Sequence, residues 1–164
     1  MPPGAVFLAT WIATAVYALL HLDVGWFPAD AGTLGHTAER VLGGELPHRD
    51  FQDPYTGGLA ALYALSFRVL GVSVMSMRWT TWVVYLAWVP AFWALAARIG
   101  GRTWLAALAT LLAASWTLPV YAEGMPSWYN LFLATFGALA LLRFHDTRHA
   151  RWLFLAGVAG GLSI

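Results

Sequence analysis

The stretch WTTWVVYLAWVPAFWALAA, residues 79–97, decides the fold of this chain. It carries no charged side chain, and Arg78 and Arg98 flank it on either side. A helix that crosses a membrane needs about 20 consecutive, predominantly apolar residues. The stretch therefore predicts a transmembrane helix.

Other apolar runs have the same character and predict further spans at residues 5–22, 103–120, 128–142 and 152–164. Hydrophobic residues make up 60% of the chain and charged residues 10%, whereas an average soluble domain has about 25% charged residues. We therefore predict an all-α, polytopic integral membrane protein, with residues 1–164 as a single transmembrane domain in the lipid bilayer. The net charge of +1 argues against nucleic acid as a partner, and the absence of cysteine excludes disulfides.

The last apolar run, residues 152–164, is too short to cross a hydrocarbon core of about 30 Å. A helix that ended within the bilayer would leave its last carbonyl groups without partners. We therefore expect the chain to be the N-terminal part of a longer protein and to be inactive alone. The alternative is a re-entrant or frayed tail.

The apolar segment 57–71 is also short, so it either crosses the membrane or lies along its surface as a juxtamembrane helix. Short cytoplasmic loops are rich in Arg and Lys, and the most basic connections are residues 98–102 and 143–151. If the N-terminus is inside and residues 5–22 cross outward, both connections face the cytoplasm only when 57–71 does not cross. We therefore predict an interfacial helix there, within an outer loop over residues 23–78. All acidic residues except Asp146 then lie on the outer side.

A second juxtamembrane helix is predicted inside this loop. Asp30 has the chemistry of an N-cap residue, and Gly43 and Gly44 supply a helix stop. Between them, apolar residues recur at helical spacing and define one face: Leu34, Ala38, Val41 and Leu42.

Short motifs follow one another along the chain: DAG at 30–32, GG at 43–44, PHRDF at 47–51, FRVLG at 67–71 and PSWYN at 126–130. In this order, after a first span, they resemble the N-terminal part of the GT-C superfamily. Its members are polytopic glycosyltransferases that use polyprenyl-phosphate-linked sugars, such as protein O-mannosyltransferases and lipid A aminoarabinose transferases. The chain departs from the family pattern at Ala31, at His48, at residues 55–57 and near Ser127. These departures leave metal use and substrate identity open.

The resemblance implies inverting transfer of a sugar from a polyprenyl-phosphate donor to a glycan, lipid or protein acceptor. It implies a multi-pass protein of the bacterial inner membrane that acts on the outer face. Asp30 matches the general base, for which plain helix capping is the structural alternative. No cofactor is certain, no metal ligand is assigned, and a divalent cation remains open.

Four further residues are candidates for substrate binding, each with a structural alternative. Asp50 and Asp53 fit acceptor or metal contact, or else loop and turn formation. Arg49 suits a donor phosphate, or else a salt bridge to a neighbouring acid. Glu123 fits a position facing the cavity that would bind the substrates, or else it is a solvated loop acid. For Arg68 and Arg78 we expect contacts with lipid headgroups.

Two other functions stay open from the residues alone, namely a lipid carrier or flippase-like protein without catalysis, and a scaffold for a membrane complex. A transporter places ionisable residues inside its spans. The spans predicted at 5–22, 79–97, 103–120 and 128–142 contain no Asp, Glu, Lys or Arg, which favours chemistry at the membrane surface.

Overall fold

The computed structural model describes residues 2–25 and 27–163. Within these residues the chain is all-helical, as predicted, and its only strand-like feature is an isolated bridge between Pro47 and Phe51. The helices of this part of the chain are α1 (Pro3–Leu20), α2 (Pro28–Leu42), α3 (Gly58–Leu70), α4 (Val74–Gly100), α5 (Thr103–Ser115), α6 (Pro126–Thr147) and α7 (Ala150–Leu162).

Two helices of the described chain, α1 and α4, are long and apolar enough to cross a membrane. They have 18 and 27 residues, and α4 includes the whole of the stretch 79–97. The helices α3, α5 and α7 are apolar but have 13 residues each, or about 20 Å of length. The spans expected at 103–120, 128–142 and 152–164 remain predictions.

Some helix ends differ from the prediction, and local chemistry explains the differences. The helix α4 starts five residues before Trp79, because the Ser73 hydroxyl accepts a hydrogen bond from the Ser76 N–H and caps it. The helix α5 ends at Ser115 rather than at 120. There the Thr117 hydroxyl donates to the Ala114 carbonyl at 2.8 Å, which favours a turn over continued helix.

The main core lies where α1, α4, α5 and α6 meet, around Tyr85, Trp88 and Phe132. Indole N–H groups connect these helices, since Trp11 donates to the Leu86 carbonyl at 3.0 Å and Trp88 donates to the Thr135 hydroxyl at 3.0 Å. Buried polar groups need such partners away from water. The same bonds fix the register of α1 and α6 against α4.

The helices α2 and α3 form a second cluster, packed on each other and on the start of α4. Leu34 and Ala38 of α2 are buried there against Tyr63 and Phe67 of α3. The predicted apolar face of α2 is thus confirmed at Leu34 and Ala38, and the partly buried Leu42 packs against the same cluster.

An ion pair lies near each end of α4. Arg78 pairs with Glu123, which precedes α6, and Arg98 pairs with Asp146, close to the end of α6. The two arginines are 20 positions apart, or about 30 Å along a helix. The helices α4 and α6 therefore run parallel and are joined at both ends.

Candidate functional site

Asp30 lies in the first turn of α2, and the prediction that it is the N-cap residue was wrong. The N-cap position belongs to Phe27, because Pro28 occupies the first helical position, where its fixed φ and missing N–H cost nothing. Asp30 is half-buried, and its carboxylate accepts a hydrogen bond from the Tyr121 phenol. The site therefore joins α2 to the α5–α6 loop, residues 116–125.

Tyr121 is held on three sides. Its ring stacks on Phe27 with centroids 4.5 Å apart, and its carbonyl accepts from the Trp128 indole at 3.1 Å. Desolvation first, and then the hydrogen bond to Asp30, raise the pKa of Tyr121 to about 12. The phenol is therefore protonated at neutral pH and serves as the donor to the Asp30 carboxylate.

Glu123 is buried, with 2% of its surface exposed, so the alternative of a solvated loop acid was wrong. It pairs at 2.6 Å with Arg78, which is 4% exposed, and accepts from the Phe27 N–H at 3.4 Å. Arg78 also donates to the carbonyls of Leu22 at 3.0 Å and Gly25 at 2.6 Å. The expectation that Arg78 reaches headgroups was therefore wrong, since its guanidinium fastens the α1–α2 segment to the α5–α6 loop.

A second tie holds the same loop against α3 and α4. The Tyr63 hydroxyl donates to the Gly124 carbonyl at 2.5 Å and lies 3.1 Å from the Thr81 hydroxyl. Thr81 in turn lies 3.0 Å from the Tyr129 hydroxyl of α6. A Cβ at position 124 would overlap the Tyr63 hydroxyl, so only glycine permits this approach.

Arg49 and Asp50 form a cluster in the α2–α3 loop, residues 43–57. They pair with each other at 2.6 Å, and Asp50 also accepts from the Leu46 N–H at 2.8 Å. Arg49 first, and then the Leu46 N–H, lower the pKa of Asp50 to about 2. The structural alternatives named for both residues, a salt bridge and loop formation, are therefore present.

Asp53 is buried in the same loop, and its carboxylate accepts from the Tyr55 N–H at 2.9 Å. This is the side-chain bond of an Asx turn, which the Asp53-Pro54 sequence suggested. Asp53 thereby shapes the chain that leads to Tyr55.

A cleft of about 780 Å³ opens between α3, α4 and α6. Its lining is polar where the helices begin, at Ser127 and Asn130, and becomes apolar further along them. Tyr55 lines the cleft and is close enough to Tyr121 to act on its pKa. Asp30 and Tyr121 are not among the lining residues, and Asp30 is connected to the cleft through the α5–α6 loop, whose last residue, Met125, lines it. The apolar part is lined by Leu59, Leu62, Val84, Phe132, Leu133, Phe136 and Leu162.

The structure thus brings together Asp30 and Glu123, both of which were predicted from the sequence as site residues. The residues that connect them were not predicted as part of the site: Tyr121, Phe27 and Arg78. Pro28 was a signal for where α2 begins and so for Phe27. Tyr121 carried no comparable signal. Over residues 2–25 and 27–163, we find no group of three or more His, Asp or Glu side chains that could hold a metal ion.

Comparison of the chain with protein-family models, characterised proteins and solved structures finds no significant match.

Proposed function

We propose that this chain is part of a membrane glycosyltransferase with Asp30 as its general base. Asp30 takes the proton of the acceptor nucleophile, which attacks the anomeric carbon of a polyprenyl-phosphate-linked sugar. The lipid phosphate leaves, and the configuration at that carbon inverts. The single observation that carries this proposal is the Asp30 carboxylate, held by the neutral phenol of Tyr121 on the loop that leads to an apolar cleft.

The partner of Asp30 distinguishes it from most of the other acids. Arginine pairs with four of the chain's eight acidic residues: Glu45, Asp50, Glu123 and Asp146. A cation at hydrogen-bond distance makes a carboxylate a weaker base. The phenol of Tyr121 orients the Asp30 carboxylate without adding a positive charge, and a base must be both oriented and able to accept a proton.

The cleft suits a lipid-linked donor. Its volume of about 780 Å³ is within the range of small-molecule sites, roughly 300–1,000 Å³. Its apolar part can take the first isoprenoid units while Ser127 and Asn130 face the headgroup. The sugar beyond the phosphate would then lie on the side of Asp30.

The proposed topology is multi-pass, with α2 and α3 on the outer surface of a bacterial inner membrane. The spacing of about 30 Å between Arg78 and Arg98 equals the thickness of the hydrocarbon core. Arg98, Arg143, Arg148 and Arg151 then lie on the cytoplasmic side, as positive residues should. Further helices of a longer chain would complete the donor groove.

A lipid carrier without catalysis is the second candidate, because an apolar cleft with a polar mouth also suits a lipid that is bound and not changed. The two proposals differ in what they require of Asp30. A carrier needs the cleft, whereas a transferase also needs a base beside it.

The test is Asp30→Asn in the full-length enzyme, with transfer measured from a radiolabelled polyprenyl-phosphate sugar. Asparagine keeps the size and can still accept from Tyr121, so the fold should persist. Loss of the negative charge in the first turn of α2 costs about 0.3–1 kcal/mol. Loss of the base should lower the rate roughly 10²–10⁴-fold.

Glu39→Gln is the matched control, because it removes an exposed carboxylate from the same helix and should leave most of the rate intact. Thermal stability of both variants shows whether either has unfolded. Near-normal turnover of a folded Asp30→Asn enzyme would remove Asp30 from the mechanism.

A further inference from the structure

Two aromatic rings stack beside the Asp30 carboxylate. The centroids of Phe27 and Tyr121 are 4.5 Å apart with the planes tilted by 32°, and the Tyr121 phenol donates to Asp30. Phe27 is 47% exposed. The stack is therefore an accessible apolar surface with a hydrogen-bond acceptor at its edge.

This pair is held from the backbone as well as through the rings. The Phe27 N–H points to the buried Glu123 carboxylate at 3.4 Å, and the Trp128 indole donates to the Tyr121 carbonyl at 3.1 Å. Residues far apart in sequence are thus brought to one place by the ties that anchor the α5–α6 loop. A surface fixed in this way loses little conformational freedom when a ligand binds.

We propose that Phe27, Tyr121 and Asp30 form the binding site for one sugar ring. The face of an aromatic ring is electron-rich, so it attracts the weakly positive C–H groups on one side of a pyranose or furanose. A carboxylate accepts hydrogen bonds from the ring's hydroxyl groups. The identification of the bound sugar as the donor sugar rests on the proposed glycosyltransferase function. The binding of a sugar ring to these three residues does not depend on that function.

An exposed aromatic ring near a membrane surface commonly anchors a protein at the headgroups. A headgroup anchor needs no second ring and no acid. The juxtaposition of the stacked rings with Asp30 distinguishes this site from an anchor.

The experiment uses the 164-residue chain in lipid nanodiscs. The probes are the octyl glycosides of glucose, galactose, mannose and arabinose, each below its micelle concentration. The octyl chain suits the apolar cleft, and the sugar is tested for contact with the Phe27 stack. Saturation-transfer NMR, with irradiation of aromatic protons, reports which sugar protons lie against the rings, and octan-1-ol shows what the alkyl chain contributes alone.

We expect transfer to one face of at least one of these sugars. Phe27→Leu keeps an apolar side chain but loses the ring, and should weaken binding of that glycoside about two- to twelvefold, the range for an aromatic contact of roughly 0.5–1.5 kcal/mol. Phe154→Leu is the matched control, because Phe154 is 70% exposed on α7 and should affect binding little.

Equal weakening by the two substitutions would show that Phe27 only anchors the chain and would overturn the inference, as would the absence of sugar contact with all four probes. Circular dichroism confirms that each variant retains its helices. If a glycoside binds through Phe27 but the full-length protein transfers no sugar, the sugar-binding site is confirmed and the proposed glycosyltransferase function is wrong. If Asp30→Asn abolishes transfer while Phe27→Leu leaves binding unchanged, the glycosyltransferase function is supported and the sugar-binding site at Phe27 is wrong.

Discussion

The buried pair Arg78–Glu123 should be the most sensitive polar contact of this protein, and Glu123→Gln tests that directly. Glutamine keeps the size and one acceptor oxygen, but it leaves the Arg78 guanidinium facing neutral acceptors alone, the amide and the carbonyls of Leu22 and Gly25. Removal of one partner of a buried ion pair costs about 3–5 kcal/mol. Because the amide still accepts a hydrogen bond, we expect a loss near the lower end, about 3 kcal/mol.

For a chain of this length, 1 kcal/mol corresponds to roughly 2–4 °C in melting temperature, so Glu123→Gln should lower Tm by about 6–12 °C. The assay is reversible unfolding in mixed micelles, followed by tryptophan fluorescence. Asp146→Asn makes the matching change at the other end of α4. Its pair with Arg98 is solvent-exposed, so water screens it and the effect should be much smaller.

A double variant, Arg78→Met with Glu123→Met, completes the test. Neither charge is then left unpaired, so the loss should be smaller than the sum of the two single losses. Equal effects of Glu123→Gln and Asp146→Asn, or strictly additive losses in the double variant, would refute the argument that this pair anchors the α5–α6 loop.

Two further predictions concern topology and pH. Since the chain has no native cysteine, single cysteines can be placed at will: at Gln52 and Ser127 they should react with an impermeant maleimide from outside, and at Gly100 and Thr147 only after permeabilisation. External labelling at Gly100 would contradict an interfacial α3. Because the folded pKa of Asp50 is depressed to about 2, its stabilising contribution is present above the usual value near 4 and is lost as the pH falls towards 2. Carboxyl ¹³C shifts should follow that titration, and a midpoint near 4 would show that the arginine partner does not act.

Sequence reasoning located the helices better than their ends. Apolar runs and the two glycines after Leu42 are local signals, so α1, α2 and α4 were expected close to where they lie. Ser73 and Pro28 were local signals too, for the capping of α4 and the start of α2. Ser73 would have predicted the start of α4 at Val74, and Pro28 would have placed Phe27 at the N-cap of α2.

The site depended on contacts that no local pattern contains. Arg78 and Glu123 are 45 residues apart, and Tyr121 and Asp30 are 91 apart. A lone arginine before an apolar run gives no indication of whether it faces headgroups or an acid in a distant loop. Only the packing of α4 against α6, and of α2 against the α5–α6 loop, decides that question.

The joining of α4 to α6 at both ends has a consequence for how the chain adapts to bilayers of different thickness. Two parallel helices that shared only apolar contacts could slide along each other by a turn when the hydrocarbon layer thins. The pairs of Arg78 and Arg98 oppose that movement, because a shift of one helix along the other by a turn would break both of them. In the proposed multi-pass topology, mismatch would then be absorbed by a common tilt of both helices, which would swing the mouth of the cleft relative to the lipid headgroups.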